Sequence, residues 1–549
     1  MHPLIADDRS PVRWGAYLIL IAIAVGGMTG RILSVNAVDR LRLEQHLKAE
    51  HEKTGNRPDW QQQRPFLSGN DRSRWATARS LVEHGTYAID QVIAEPNWDT
   101  IDMVKHDGRL YSSKPPLLAT LMAGPYWIIH HFTGATLGTH PFEIGRALLL
   151  AINVLPLLIC FLALGRLVER FGTTDWGRIY VMAAATTATF LSTFAIAINN
   201  HLIAAVSALL ALAAAVPIWF DGERRLRYFA AAGFFAAFAA ANELPAAAFL
   251  GLLGLGLLWK APARTLVAGL PAAALVGAAF FGTNYLAHGS LRPPYAHRGD
   301  GPRLRIIEDA DGSLAATMDA ERVTLELMSA LSLSREAAVE VDEPGTHWTI
   351  IDPLPERRFS VRADSAGLAV HAWDNWYNYT YQRGGKTRES YWKGTAARSP
   401  VDKGEASRGM YALHVFVGHH GIFSLTPVWL LSVVGIGMAL RRSTSPLRPI
   451  AALVATASAV CLAFYLAQGT ENRNYGGTTS GLRWMFWFAP LWALAMLPAV
   501  DAASAKRWSR GLCLVLLALS VVSVSYPTWN PWTHPWLVNL MNSLGWSAL

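Results

Sequence analysis

The chain has 549 residues, of which 52% are hydrophobic and only 16% charged, with mean hydropathy +0.22 and net charge +8. Ordinary soluble domains carry about 25% charged residues, so the composition argues against one and for a polytopic membrane protein. The basic residues are scattered and no recognition motif accompanies them, so no nucleic-acid partner is expected.

The N-terminal "MHPLIADDRSPVRWG" leads into an apolar run with no convincing cleavage site, which reads as an uncleaved first span. Segments able to cross a bilayer follow at about 15–34, 117–133, 142–164, 178–198, 201–219, 228–259, 264–287, 415–440, 448–468, 482–500 and 511–526. The expected fold is therefore an all-α polytopic membrane protein of about eleven transmembrane helices, twelve or thirteen if 228–259 divides at "NELP" (242–245). Four regions follow: an N-terminal transmembrane module (1–287) with a first outer loop (35–116), a large outer insertion (288–412) of small mixed α/β character, C-terminal helices (413–526), and a Trp/Pro-rich outer tail (527–549). The basic stretches 441–448 and 505–510, with Arg9 and Arg13, read as cytoplasmic. With eleven spans both large loops fall on the outer side. The same count puts the basic "DGERRLR" (221–227) outside, against its charge.

Within the first outer loop, helical patterns appear at 36–54 and 71–84 and suit an interfacial amphipathic helix. "GNDRSRWATARSLVEHGTYAID" (69–90) sets Asp71 beside Arg72 and Arg74. A carboxylate among bases remains ionised and can act as a general base, while guanidinium groups bind phosphate through planar forked donors. A solvated helix face with local ion pairs is the alternative. Lys114 precedes Pro115 and Pro116, which suit the first turn of a helix and fix the lysine at the membrane surface, where its ammonium can hold a lipid phosphate or simply snorkel. Further on, Glu243 lies in an apolar run and should face a cavity or partner rather than lipid. His419 and His420 stand at a span entrance. As neighbours on a helix they point about 100° apart and no third ligand is evident, so polar lining or interfacial packing is the main reading and metal ligation the minor one; no cofactor is expected, and a divalent metal is left open but not indicated. The 471–490 loop offers Tyr475 and Arg483. "DNWYNYTYQRGGKTRESYWKG" (374–394) reads either as an acceptor-binding aromatic surface or as a loop packed on its own rings. Cys160, Cys461 and Cys513 each lie in apolar runs and read as buried thiols.

The stretches at 69–90 and 108–127 together resemble the C class of membrane glycosyltransferases, close to the lipid A aminoarabinose transferases and the family 39-like protein O-mannosyltransferases. Asp71 matches the family's acid, Trp75-Ala76 its aromatic-Ala step, Arg79 the following base and Gly85-Thr86-Tyr87 the turn. Lys114-Pro115-Pro116-Leu117 matches the second motif, with Tyr111 upstream, and 142–172 resembles the third span. The pattern covers the first 260 residues or so and is close only in these two motifs. Where the family has a Glu after the Asp, this chain has Arg72. The resemblance implies an integral protein of the cytoplasmic (inner) membrane with its site facing the periplasm or exterior. It implies a polyprenyl-phosphate sugar donor, a lipid, glycan or protein acceptor, and inverting transfer with Asp71 as general base. Lys114, Arg72, Arg74 and Arg483 would hold the donor phosphate. Tyr111, Trp75, Tyr475, His419, His420 and Glu243 would line the substrate site. The alternatives are a homologue that binds polyprenyl lipid without catalysis, and a transporter or flippase.

Overall fold

The computed structural model describes residues 10–34, 49, 52–53, 55, 66–309, 311–318, 325–343, 345–354, 356–365, 367–383, 385–394 and 398–546. The amphipathic helix expected at 36–54 lies almost wholly outside these residues. The chain divides into two compact units, one of Met1–Asp102, Pro115–Leu291 and Gly394–Leu549, the other of Met103–Lys114 and Arg292–Lys393.

The first unit is helical. Among the described residues six helices are long and apolar enough to cross a membrane: Ser10–Ser34, Pro141–Phe171, Asn200–Phe220, Pro262–His288, Arg448–Leu466 and Arg507–Ser525. Leu244–Lys260 and Trp429–Arg441 are shorter apolar helices. The segments expected at 178–198, 228–259, 415–440 and 482–500 are interrupted, and the helix over 117–133 has only 17 residues, which is why six rather than eleven qualify. Arg483–Ala495 and Leu497–Ala503 meet at a 45° bend, where Pro498 removes a backbone donor. The 228–259 run ends a helix at Asn242, turns through a 3₁₀ segment Leu244–Ala246 containing Pro245, and resumes at Ala247.

Ion pairs and hydrogen bonds sort the helix ends into two groups. At one end, Arg13 pairs with Glu169 (2.7 Å) and Asp175 (2.8 Å), and Arg170 pairs with Asp221 (2.7 Å). Asp501 accepts from the Thr173 and Thr174 N–H groups, and Arg264 donates to the Arg224 carbonyl. The 221–227 loop therefore shares an end with Arg13. This corrects the position that counting eleven spans gave it. The reason is local: 228–259 runs out and back as two helices, and Leu117–Thr133 is not among the candidate spans. That 17-residue helix packs along Gly69–Glu83, with Tyr126 Oη bonded to Glu83 and Tyr87 Oη to Thr120 Oγ1 (3.1 Å).

The second unit is a sheet with short helices, in line with the mixed α/β character expected of the 288–412 insertion, and it also takes in residues 103–114 of the first outer loop. Strands β1 (Met103–His106) and β2 (Arg109–Ser112) form a hairpin turned by Asp107-Gly108, both at positive φ (47° and 76°), as a two-residue turn of matching twist requires. Strands β3 (Arg298–Ile307), β4 (Ala338–Glu343), β5 (His347–Pro353), β6 (Glu356–Asp364) and β7 (Gly367–Asn375) make an antiparallel sheet in the order β3-β7-β6-β5-β4. Alternate residues Trp348 and Ile350, Val361, and Leu368 and Val370 share one face, covered by Met318, Leu327 and Leu331 from two short helices. The hairpin joins this unit through Val104, which packs on Trp376 and Tyr377, and through the Lys105 N–H bond to the Trp376 carbonyl (3.0 Å). The aromatic stretch after β7 is thus packed on its own unit: Trp376, Tyr377 and Tyr379 are all buried.

A candidate acid–arginine site

The second group of helix ends gathers around the helix Gly69–Glu83. Its start is a capping box: the Asp71 N–H donates to Ser68 Oγ (3.3 Å) and Asp71 Oδ1 accepts from the Ser68 N–H (3.0 Å). The helix is polar, yet Asp71 through Ser80 are buried without a break. Burying such a sequence is tolerable only when its polar groups find partners.

The partners come from distant helix ends. Arg72 donates to the carbonyls of Asp99 (2.5 Å) and Phe66 (3.1 Å). Arg74 donates to Asn70 Oδ1 (2.6 Å) and Asn200 Oδ1 (2.7 Å). Asn200 opens the Asn200–Phe220 helix, and its Nδ2 donates to the Asn242 carbonyl (2.9 Å) and to Glu243 Oε1 (2.5 Å). His201 Nδ1 closes on the same Glu243 oxygen. Glu243 thus faces protein partners at the break between two helices, as its position in an apolar run requires. Arg483 starts the bent pair, lies over the Trp532 ring at 4.8 Å, and has its Nε buried with no hydrogen-bond partner. Gly476, at φ 100°, packs directly on the Arg483 side chain; a Cβ there would collide with Nε.

The electrostatics follow from this crowding. Burial pushes the Asp71 carboxyl up to about 6, against the opposing pull of the Ser68 N–H and of the Arg72 and Arg74 charges. Burial pushes Arg74 down to about 10, and the nearby positive charge of Arg483 is the next cause, opposed by Asp102, Asp71 and Glu243. Two buried guanidinium groups therefore repel each other beside an acid that titrates near neutrality.

The other expected residues lie as follows. Trp75 is fully buried and stacked on Phe66 (4.3 Å between centroids, 7° between planes). Tyr475 Oη donates to Glu405 Oε1 (2.7 Å), and its ring stacks on His420 at 4.0 Å. His419 and His420 are both fully buried, their Nδ1 atoms 2.5 Å apart. Lys114 and Tyr111 belong to the second unit: the Lys114 N–H donates to Ser112 Oγ (3.1 Å), and Tyr111 packs on the Val104, Trp376 and Tyr377 cluster. Beside His420 lies a small apolar cavity of about 20 Å³, lined by Phe190, Leu425, Trp429, Phe486 and Trp492 among others. Sequence reasoning missed Asn200, His201 and Asp102. A polar triplet "NNH" (199–201) opening an apolar helix is the available signal.

Helices fit to span a membrane, with a buried acid–arginine centre at one end of the helical unit, define an integral membrane protein. Among solved structures the chain is similar to the apo crystal structure of the Archaeoglobus fulgidus oligosaccharyltransferase, at 11% identity and TM-score 0.40, over 95% of this chain and 55% of that one. It is also similar to the archaeal oligosaccharyltransferase AglB from Archaeoglobus fulgidus in complex with an inhibitory peptide and a dolichol-phosphate, at 12% identity and TM-score 0.38, over 94% and 56% of the two chains. This chain therefore spans just over half the length of those proteins. No protein-family model matches it, and a search of curated proteins finds no relative.

Proposed function

We propose that the chain is an integral membrane glycosyltransferase that moves a sugar from a polyprenyl-phosphate donor to an envelope lipid, glycan or protein. The observation that carries this reading is the juxtaposition of Arg74 and Arg483, buried and mutually repelling, with the titratable Asp71. Like charges held together in a buried site are relieved by an anion between them, and forked guanidinium donors suit a phosphate. In this reading Asp71 accepts the proton of the acceptor hydroxyl or amine as the acceptor attacks the anomeric carbon. The phosphate leaves from the opposite face, which inverts the centre. A base of pKa near 6 is largely ionised at neutral pH and stronger than an ordinary carboxylate. Arg74 and Arg483 neutralise the departing phosphate. Arg72 is committed to two carbonyls and contributes field more than contact. Lys114 belongs to the second unit, and the reading does not rest on it.

The basic end bearing Arg13, Arg170, Arg224 and Arg264 is the cytoplasmic one by the positive-inside rule, so the acid–arginine centre faces outward, as the family resemblance implies. Mass spectrometry of envelope lipids and glycoproteins from cells with and without the gene tests the activity. Loss of one glycan modification, restored by the wild-type gene and not by Asp71→Asn, is the expected result. Unchanged envelope glycans would overturn the reading.

A further inference from the structure

We propose that Glu405, His414 and His419 form a binding site for a zinc-class divalent cation, apart from the acid–arginine centre. Their ligand atoms lie within 4.8 Å of one another. Ligands bound tetrahedrally to zinc at about 2.0–2.1 Å stand about 3.4 Å apart, so shifts of roughly an ångström at the side-chain tips close the set.

Independent observations point to a ligand there. His419 is fully buried, and its Nδ1 is engaged with His420 Nδ1, which leaves Nε2 buried with no hydrogen-bond partner. When His419 is the donor in that pairing, its Nε2 presents a bare lone pair, the form a metal takes. His414 also holds a buried nitrogen, Nδ1, without a partner, and its ring stacks on that of His419 at 3.9 Å. Glu405 is oriented from behind by the Tyr475 hydroxyl on Oε1. Each candidate ligand thus has a supporting contact, as ligands in metal sites do.

The donor set decides the kind of ion. Two imidazoles and one carboxylate suit zinc or cobalt with a fourth position for water, whereas magnesium and calcium favour all-oxygen sites. The place of the site suggests its effect. Glu405 N–H bonds the Arg473 carbonyl (2.8 Å), Arg473 donates to the Ala406 carbonyl (2.7 Å), and Tyr411 Oη donates to the Asn474 carbonyl (2.8 Å). The cation would tie residues 405–419 together, and their bonds to Arg473 and Asn474 hold the loop that carries Gly476, which packs on Arg483. Its role is to fix the loop, and its existence does not depend on the transferase reading.

The test uses the full chain in detergent, stripped with a chelator and then titrated separately with zinc, cobalt and magnesium. One equivalent of zinc should bind, raise the melting temperature reversibly, and resist competition by magnesium. Cobalt should give the intense visible absorption of a tetrahedral site. Glu405→Gln keeps an acceptor for Tyr475 and should fold, yet bind zinc at least tenfold more weakly. His414→Gln should do the same, while His131→Gln, at an exposed position, should not. A wild-type protein that takes up no zinc, or a cobalt complex with the weak spectrum of an octahedral ion, would overturn the proposal without recourse to any variant. Equal zinc affinity in Glu405→Gln and His414→Gln would do so as well.

Discussion

Replacing Asp71 by asparagine removes a charge and almost no volume, so it separates chemistry from packing. The Asp71 carboxyl is raised from 3.8 to about 6 by burial. That rise corresponds to about 3 kcal/mol. The sign follows from which state holds the proton more tightly. The folded protein does, so this stabilisation is fully present below the unfolded value near 3.8 and is lost as pH rises through about 6. At alkaline pH the wild type therefore carries an ionised buried acid at a cost of about 3 kcal/mol relative to the protonated form. The neutral amide of Asp71→Asn carries no such cost. Its carbonyl still accepts from the Ser68 N–H, so the capping box loses little. The variant should therefore melt at a higher temperature than wild type at about pH 8, with the gap closing toward about pH 4. Its transfer rate should fall ~10²–10⁴-fold, the usual worth of a general base. Wild-type kcat/KM should also drop below about pH 6, a limb the variant lacks. Thermal denaturation in detergent across that pH range, paired with transfer assays on a polyprenyl-phosphate sugar, measures each quantity. An Asp71→Asn protein that keeps over half the activity, or melts with the wild-type pH dependence, would refute the reasoning.

Arg483→Lys keeps the charge and loses the fork, so donor binding should weaken roughly ten- to a hundredfold; equal donor affinity in a binding titration would remove Arg483 from the phosphate site. Glu243→Ala strips the partner from Asn200 and His201 inside the protein, and its melting temperature should fall in keeping with about 3–5 kcal/mol for a broken buried pair. The topology is checked by cysteine labelling, since all three native cysteines are buried. A membrane-impermeant reagent should reach Gln91→Cys from outside and Arg227→Cys only after the membrane is opened, and the reverse pattern would invert the orientation.

The candidate site is readable where its residues are close in sequence. Asp71, Arg72 and Arg74 share one helical turn after an apolar run, and their charge alone marks them. Their partners are not readable. Asn200 and Glu243 lie at the ends of different helices, and an apolar pattern says that a helix exists without saying which ends meet. Trp75 enters the expected substrate site only through the family resemblance, and in the structure it is stacked on Phe66. The adjacent His419 and His420 stand out as a pair, whereas the imidazole that stacks on His419 is His414, back across a turn. The β1–β2 hairpin is legible in "HDGR", where Asp-Gly marks a tight turn, though the patterns expected in that outer loop are helical ones at 36–54 and 71–84 only. Span counting fails at 228–259 because hydropathy averages over a reversal marked only by one acid and one proline.

That reversal bears on how the chain is made. The two short helices around Glu243 form a hairpin with the acid at its tip, so the acid has to enter the apolar layer to reach Asn200 and His201. A lone carboxylate there is costly to carry. Asn200 leaves the ribosome 43 residues before Glu243, with His201 next to it, at the head of a helix that already reaches the far end. The receptor for the acid is thus laid down before the acid arrives. Shuffling these segments, or synthesising the hairpin without its predecessor, would leave Glu243 stranded at the translocon, with degradation rather than inactivity as the outcome.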